Sequence, residues 1–227
     1  MPFLQLATLA VIQGITEFLP ISSSGHLRLV ALLSGWPDQG LMIDVAVHVG
    51  TLFAVMTYLW RDIVAMLVGL GRAFQGRFDS GFRLLLQLIV ATLPVIAAGY
   101  FLDRLAPGLF DKLEIIAWAT LIFGIVLWLA DRSSMTLRRV EHLAYSDVII
   151  IGLSQVLALI PGTSRSGITM TAARVLGMER RDAARFSMLL SMPTILGAGV
   201  LKGWDLYKSG DSLLAIDAVV AAGLSFV

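Results

Sequence analysis

Apolar residues run along this chain in stretches of roughly 20, the length a helix needs to cross the hydrocarbon core of a bilayer. Four such stretches stand out, at 41–60, 82–102, 113–130 and the slightly short 186–201. A fifth begins near Leu213 and is still running at Val227. Two further regions, 3–33 and 148–175, are apolar at their ends but broken in the middle, by "LPISSSGH" and "IPGTSRSG". Each break combines Pro, Gly and serines, the composition of a turn rather than of a helix centre. The pattern predicts an all-α polytopic integral membrane protein.

Composition agrees. Hydrophobic residues make up 57% and charged residues 15%, against about 25% charged in soluble domains. The net charge is +1 and no basic tract points to nucleic acid. The absence of cysteine excludes disulfides, thiolate metal sites and a Cys nucleophile. Residues 1–20 have no basic start and no small-residue cleavage site, so they do not read as a signal peptide.

Arginine then orients the spans. The loops 71–83, 131–147 and 174–185 carry most of the Arg, whereas 103–112 and 202–212 hold mixed charge. By the positive-inside rule the Arg-rich loops are cytoplasmic. Region 148–175 then starts and ends on the cytoplasmic side and is too short for two crossings. It is expected to be a re-entrant helical hairpin with "PGTSRSG" at its tip, and 3–33 a second one entering from outside. Such backbone is tolerated at membrane depth only when buried in protein or lining a wet cavity.

The two breaks also resemble each other. Pro20 precedes "ISSSG" and Pro161 precedes "GTSRSG"; "TLFAVMTYLW" (51–60) and "TILGAGVLKGW" (194–204) follow at similar distances. This suggests one transmembrane domain, 1–227, made of inverted pseudo-repeats of about 1–112 and 113–227. Two half-helices would then meet near the midplane, the arrangement that builds transporter sites. The second copy stops inside an apolar run, so the natural protein is expected to continue by at least one more span.

The breaks carry the chemistry. An intramembrane ionisable residue is by default a functional candidate, and Glu17, Ser22, Ser23, Ser24 and His26 crowd into one of them. The second adds Ser164, Arg165 and Ser166. Structural readings stand beside the functional ones. Glu17 could be a carboxylate satisfied by backbone N–H groups or by an Arg, the serines could be helix caps, and His26 a structural histidine. Arg165 could bridge to Glu17 or face a substrate anion. Phosphate fits an Arg fork, exposed helix N-termini, hydroxyls and a His. Asp44 and His48 lie on one helix face, as a supporting pair or as a structural hydrogen bond, and stay outside the catalytic set. Arg138, Arg139, Arg180 and Arg181 read as topology determinants and anionic-lipid contacts.

At these residues the sequence resembles a known family, the undecaprenyl-diphosphate phosphatases responsible for bacitracin resistance in bacteria. "QGITEFLPISSSGH" is similar to that family's (E/Q)xxxE and SSxGH region, and "IGLSQVLALIPGTSRSGITM" to its PGxSRSG motif. "HVGTLFAV" and "ARFSMLLSMPTILGAGVL" also match its pattern. The resemblance implies interlocked inverted repeats in the bacterial plasma membrane, with a site opening to the outer, periplasmic face. It implies hydrolysis of undecaprenyl diphosphate to undecaprenyl phosphate and phosphate, recycling the lipid carrier of cell-wall synthesis. It picks out Glu17, Ser23, His26 and Arg165 as catalytic, with Ser22, Ser24, Gly25, Ser164, Arg165 and Ser166 around the phosphates. A divalent cation, Mg²⁺ or Ca²⁺, is expected to bridge the substrate and to meet Glu17. Gln13, a supporting residue, stands where some relatives have Glu, and an amide serves neither as a base nor as an anionic metal ligand. Ser23 attack and direct attack by water, with Glu17 or His26 assisting, both stay open. The competing class is a transporter or flippase for a polyprenyl phosphate using the same anion site. Membrane lipids are expected partners, and a homodimer is one state open to the chain.

Overall fold

The structure, a computed structural model, describes residues 1–106, 109, 110, 112–133 and 137–227, with the backbone alone at 103. Parts of the 103–112 segment and of the 131–147 loop therefore lie outside the described residues. Ten α-helices account for most of what is described: α1 Phe3–Thr16, α2 Ser23–Ser34, α3 Gly40–Tyr58, α4 Trp60–Ala73, α5 Ser80–Leu105, α6 Leu113–Ser133, α7 Tyr145–Gln155, α8 Arg165–Val175, α9 Arg180–Ser209 and α10 Ser212–Phe226. A 3-10 turn, Val156–Leu159, extends α7.

Among the described residues, four helices are long and apolar enough to cross a membrane: Gly40–Tyr58, Ser80–Leu102, Leu113–Ser133 and Arg180–Ser209. They match the four full stretches expected from the sequence. The fourth is longer than its apolar window, because charged residues end the window without ending the helix. The run from Leu213 forms a shorter helix, α10, and the segment after Tyr58 folds into the amphipathic α4. Leu93, Ile96, Leu121, Ile125, Val200 and Leu201 are exposed on the outer faces of α5, α6 and α9, as in a multi-pass membrane protein, where lipid tails rather than water meet that surface.

Both broken regions are broken where the turn composition lies. Region 3–33 is split into α1 and α2, and region 148–175 into α7 and α8. The neighbours are exchanged between halves: α1 packs on α10, and α7 on α5. Small residues permit close approach of helices here and between α3 and α10. A Cβ on Gly152 of α7 would lie 2.6 Å from the Ala91 carbonyl oxygen of α5, and one on Gly50 of α3 would overlap the Ala222 carbonyl of α10. Phe186, Leu189 and Leu190 of α9 bury against Leu52, Leu88 and Ile151, while Leu6, Leu9, Leu27, Ile43, Val47 and Ala221 close the other side.

The Arg-rich loops converge on one end. Arg83 donates to the Leu143 carbonyl at 2.6 Å. Arg174 and Arg180 both reach Asp131, at 3.0 and 2.7 Å, Arg138 pairs with Asp147, and Arg139 with Glu179 at 3.5 Å. The arginines expected to contact anionic lipid thus include three that hold carboxylates of the chain itself.

Candidate active site

The chain leaves α1 at Glu17, turns through residues 17–21, and restarts helically at Ser23. The restart is abrupt because Ser22 sits at φ 64° and caps α2, its Oγ accepting from the Gly25 N–H at 3.4 Å. The second break is built the same way. Ser164 sits at φ 62° and its Oγ accepts from the Gly167 N–H at 3.1 Å. Ser22 and Ser164 are the only non-glycine residues at positive φ among those described. Such conformations cost on the order of 1–3 kcal/mol and persist where their surroundings impose them, often at functional sites.

The tips meet. The Ser166 hydroxyl donates to the backbone carbonyls of Glu17 at 3.3 Å and Leu19 at 3.0 Å. Arg165 Nη2 contacts Glu17 Oε1 at 2.5 Å. Three more donors converge on Glu17 Oε2: Gln13 Nε2 at 2.8 Å, Ser23 Oγ at 2.7 Å and His48 Nε2 at 3.2 Å. Glu17 is buried, at 6% exposure, so these contacts replace water almost completely, as an ionised carboxylate in a low-dielectric site requires. The second guanidinium nitrogen, Nη1 of Arg165, is buried with no hydrogen-bond partner. A buried N–H of a cation left unmatched is costly, and an anion would satisfy it.

These groups share a cavity of about 320 Å³, a size that suits small ligands. Its polar wall is Glu17, Ser22, Ser23, Ser24, Ser164 and Arg165, together with Asp44 and His48 of α3. Its apolar wall comes from Leu27, Leu41, Ala158, Ile160, Ile195 and neighbours. Because α2 and α8 both begin here, the positive ends of two helix dipoles face it.

The sequence candidates divide accordingly. Glu17, Ser22, Ser23, Ser24, Ser164 and Arg165 stand in the cavity wall. Gln13 lies behind Glu17 as a donor. Ser166 fastens one tip to the other, Gly25 packs beside Ile116, and the His26 ring binds the Ser22 carbonyl through Nδ1 at 2.8 Å. These three do not line the cavity. His48, which the sequence reading left outside the catalytic set, does. Its spacing from Asp44 was the available signal, and the contact it makes with Asp44 goes to the backbone carbonyl.

Among the described residues no group of three or more His, Cys, Asp or Glu is placed to hold a metal ion, and four side chains already engage Glu17. The donor set does not fit a resident cation.

The family pattern described as "Bacitracin resistance protein BacA" matches residues 6–227. The chain is 51% identical to an undecaprenyl-diphosphatase of Ruegeria pomeroyi, over 100% of this chain and 86% of that one. It is 50% identical to undecaprenyl-diphosphatase 1 of Rhodospirillum rubrum, over 100% and 83%, and 52% identical to an undecaprenyl-diphosphatase of Ruegeria sp. TM1040, over 99% and 85%.

Proposed function

The chain belongs to the bacitracin resistance protein BacA family, and from that premise we propose that it hydrolyses undecaprenyl diphosphate to undecaprenyl phosphate and inorganic phosphate, recycling the cell-wall lipid carrier. The observation that carries this reading onto the residues is the junction of the two tips. Ser23, a hydroxyl held on a carboxylate, lines the same cavity as Arg165, a cation with an unmatched N–H. A carrier would need the cation but no poised hydroxyl, so the transporter alternative is not favoured.

In this reading the diphosphate enters between the N-termini of α2 and α8. Ser22, Ser24, Gly25, Ser164 and Ser166 form or brace the phosphate-binding tips, and Arg165 turns its fork to the phosphate oxygens. That releases Glu17 Oε1. Ser23 Oγ attacks the terminal phosphorus, its proton passes to Glu17 Oε2, and the bond from phosphorus to the bridging oxygen breaks. Undecaprenyl phosphate departs with the electron pair of that bond. Water then cleaves the phosphoserine, releasing phosphate and restoring the Ser23 hydroxyl. The contact of Ser23 with Glu17 favours Glu17 over His26 as proton acceptor; His26 steadies the tip through the Ser22 carbonyl. A Mg²⁺ or Ca²⁺ ion bound with the diphosphate would neutralise phosphate charge, with Glu17 the carboxylate proposed to meet it.

The same reading makes 3–33 and 148–175 re-entrant hairpins of two inverted repeats, about 1–112 and 113–227. The matched serine caps and the exchanged packing of α1 on α10 and α7 on α5 support it. The Arg-rich end then faces the cytoplasm and the cavity opens to the periplasmic side of the plasma membrane. Membrane lipids are its surroundings, and a second copy in a homodimer is the further partner proposed. The test is phosphate release from undecaprenyl diphosphate by purified protein in detergent, with Ser23→Ala, Glu17→Gln and Arg165→Ala alongside. Folded wild-type protein that releases no phosphate would refute the hydrolase.

A further inference from the structure

His48 is fixed at both ends. Its Nδ1 lies 2.6 Å from the Asp44 backbone carbonyl, one helical turn back on α3. A carbonyl only accepts, so Nδ1 carries a proton. The Asp44 carboxylate is engaged elsewhere, accepting from Gln39 Nε2 at 2.8 Å. The other nitrogen, Nε2, lies 3.2 Å from Glu17 Oε2, and an ionised carboxylate also only accepts. The ring projects from α3, a full-length span packed on α9 and α10, so its base lies outside both broken regions.

Glu17 has four side-chain donors, and the proposed chemistry calls on two of them. Arg165 turns to the phosphates, and Ser23 leaves as the nucleophile. Gln13 remains, but it sits one turn before Glu17 on α1 and moves with it. Among the described residues His48 is the one remaining donor anchored on another element. We infer that His48 is a positioning residue for the hydrolysis: its Nε2–H holds Glu17 Oε2 in place to receive the Ser23 proton after Arg165 has turned away. The inference rests on the hydrolase reading. What it requires of position 48 is an N–H donor rather than an imidazole, since Gln13 already serves the same oxygen with a carboxamide.

The experiment is steady-state phosphate release from undecaprenyl diphosphate by the purified chain, comparing wild type, His48→Ala and His48→Gln, with thermal melting of each. Losing one hydrogen bond to a charged group corresponds to roughly a 10- to 100-fold fall in kcat for His48→Ala, with KM within about threefold of wild type. His48→Gln is expected to recover kcat to within about fivefold of wild type, because its carboxamide can donate to the same oxygen. If His48→Ala does not fold, His48→Leu supplies a donor-free side chain of closer volume, and the contrast of Gln with Leu carries the same test. Wild-type kcat in a donor-free variant overturns the inference and leaves the hydrolase standing. So does a defect confined to KM, or a Gln variant as slow as Leu. Absence of turnover in wild type overturns the hydrolase reading, and this inference with it.

Discussion

The two tips are nearly the same piece of chain used for different ends. Ser22-Ser23-Ser24-Gly25 and Ser164-Arg165-Ser166-Gly167 each open a short helix with a serine at positive φ, cap it on the glycine N–H, and bring their outer hydroxyls within 3.4 and 3.2 Å of each other. They differ at the second residue. One tip puts Ser23 there, the other Arg165, and both side chains turn to the same Glu17. The approach differs too. The first tip is entered past Gln13 and Glu17, the second past the apolar "LALIPG". A repeated backbone device thus delivers two helix N-termini to one cavity, and single substitutions on it divide the labour between a nucleophile and an anion holder.

The sharpest way to break that division is at the second residues. Ser23→Ala removes the hydroxyl and leaves the tip intact. If Ser23 is the nucleophile, kcat for phosphate release falls roughly 10³-fold or more, and no phosphoenzyme can be trapped on the variant. Activity within about tenfold of wild type would instead assign the attack to water. Next in size is Arg165→Ala. Removing a donor that meets developing charge costs roughly 10²- to 10³-fold. Arg165→Lys is expected to recover only part of this, because a point charge cannot replace the fork. A full rescue by Lys would show that charge alone suffices. Metal removal separates the tips from the ion. EDTA is expected to stop turnover, and added Mg²⁺ or Ca²⁺ to restore it. The melting temperature should not change, because the described residues hold no resident metal cage. A melting transition that falls in EDTA would refute a substrate-borne ion.

Much of this was legible in the chain. The spans show because apolar runs of bilayer length have few other uses. The breaks show because Pro20, Pro161 and the serine clusters are poor helix centres. Helix α4 was harder, since its apolar residues recur on one face between charged ones and mimic the start of a loop. His48 was hardest. In one dimension it is a lone histidine one turn after Asp44, and that spacing suggests the pair the structure shows only through backbone. Its contact with Glu17 depends on how α3 packs beside α1, which no local pattern encodes. His26 shows the converse. It lies inside the most conspicuous motif, yet its ring turns back to the Ser22 carbonyl.

The smallest expected effects fall on the serines the tips share, and they decide whether those hydroxyls serve the fold or the phosphate. Losing an N-cap costs about 1 kcal/mol when Ser becomes Ala, but only a few tenths when it becomes Gly. Gly also relieves the positive φ that Ser and Ala both resist. Ser164→Ala should therefore lower stability by about 1 kcal/mol, while Ser164→Gly should be neutral or stabilising. The Ser22 cap contact is longer, 3.4 Å against 3.1 Å, so Ser22→Ala should cost less than Ser164→Ala. Thermal melting in detergent reads this order, and the reverse order would mean that the cap contacts do not set the stability of the tips. Ser164→Gly and Ser22→Gly then test function on an undamaged scaffold. If the hydroxyls also hold phosphate, KM should rise severalfold, up to about tenfold, the value of one hydrogen bond, with melting temperature unchanged or raised. An unchanged KM would leave both serines as caps alone, and phosphate recognition would pass to Arg165 and the two helix N-termini.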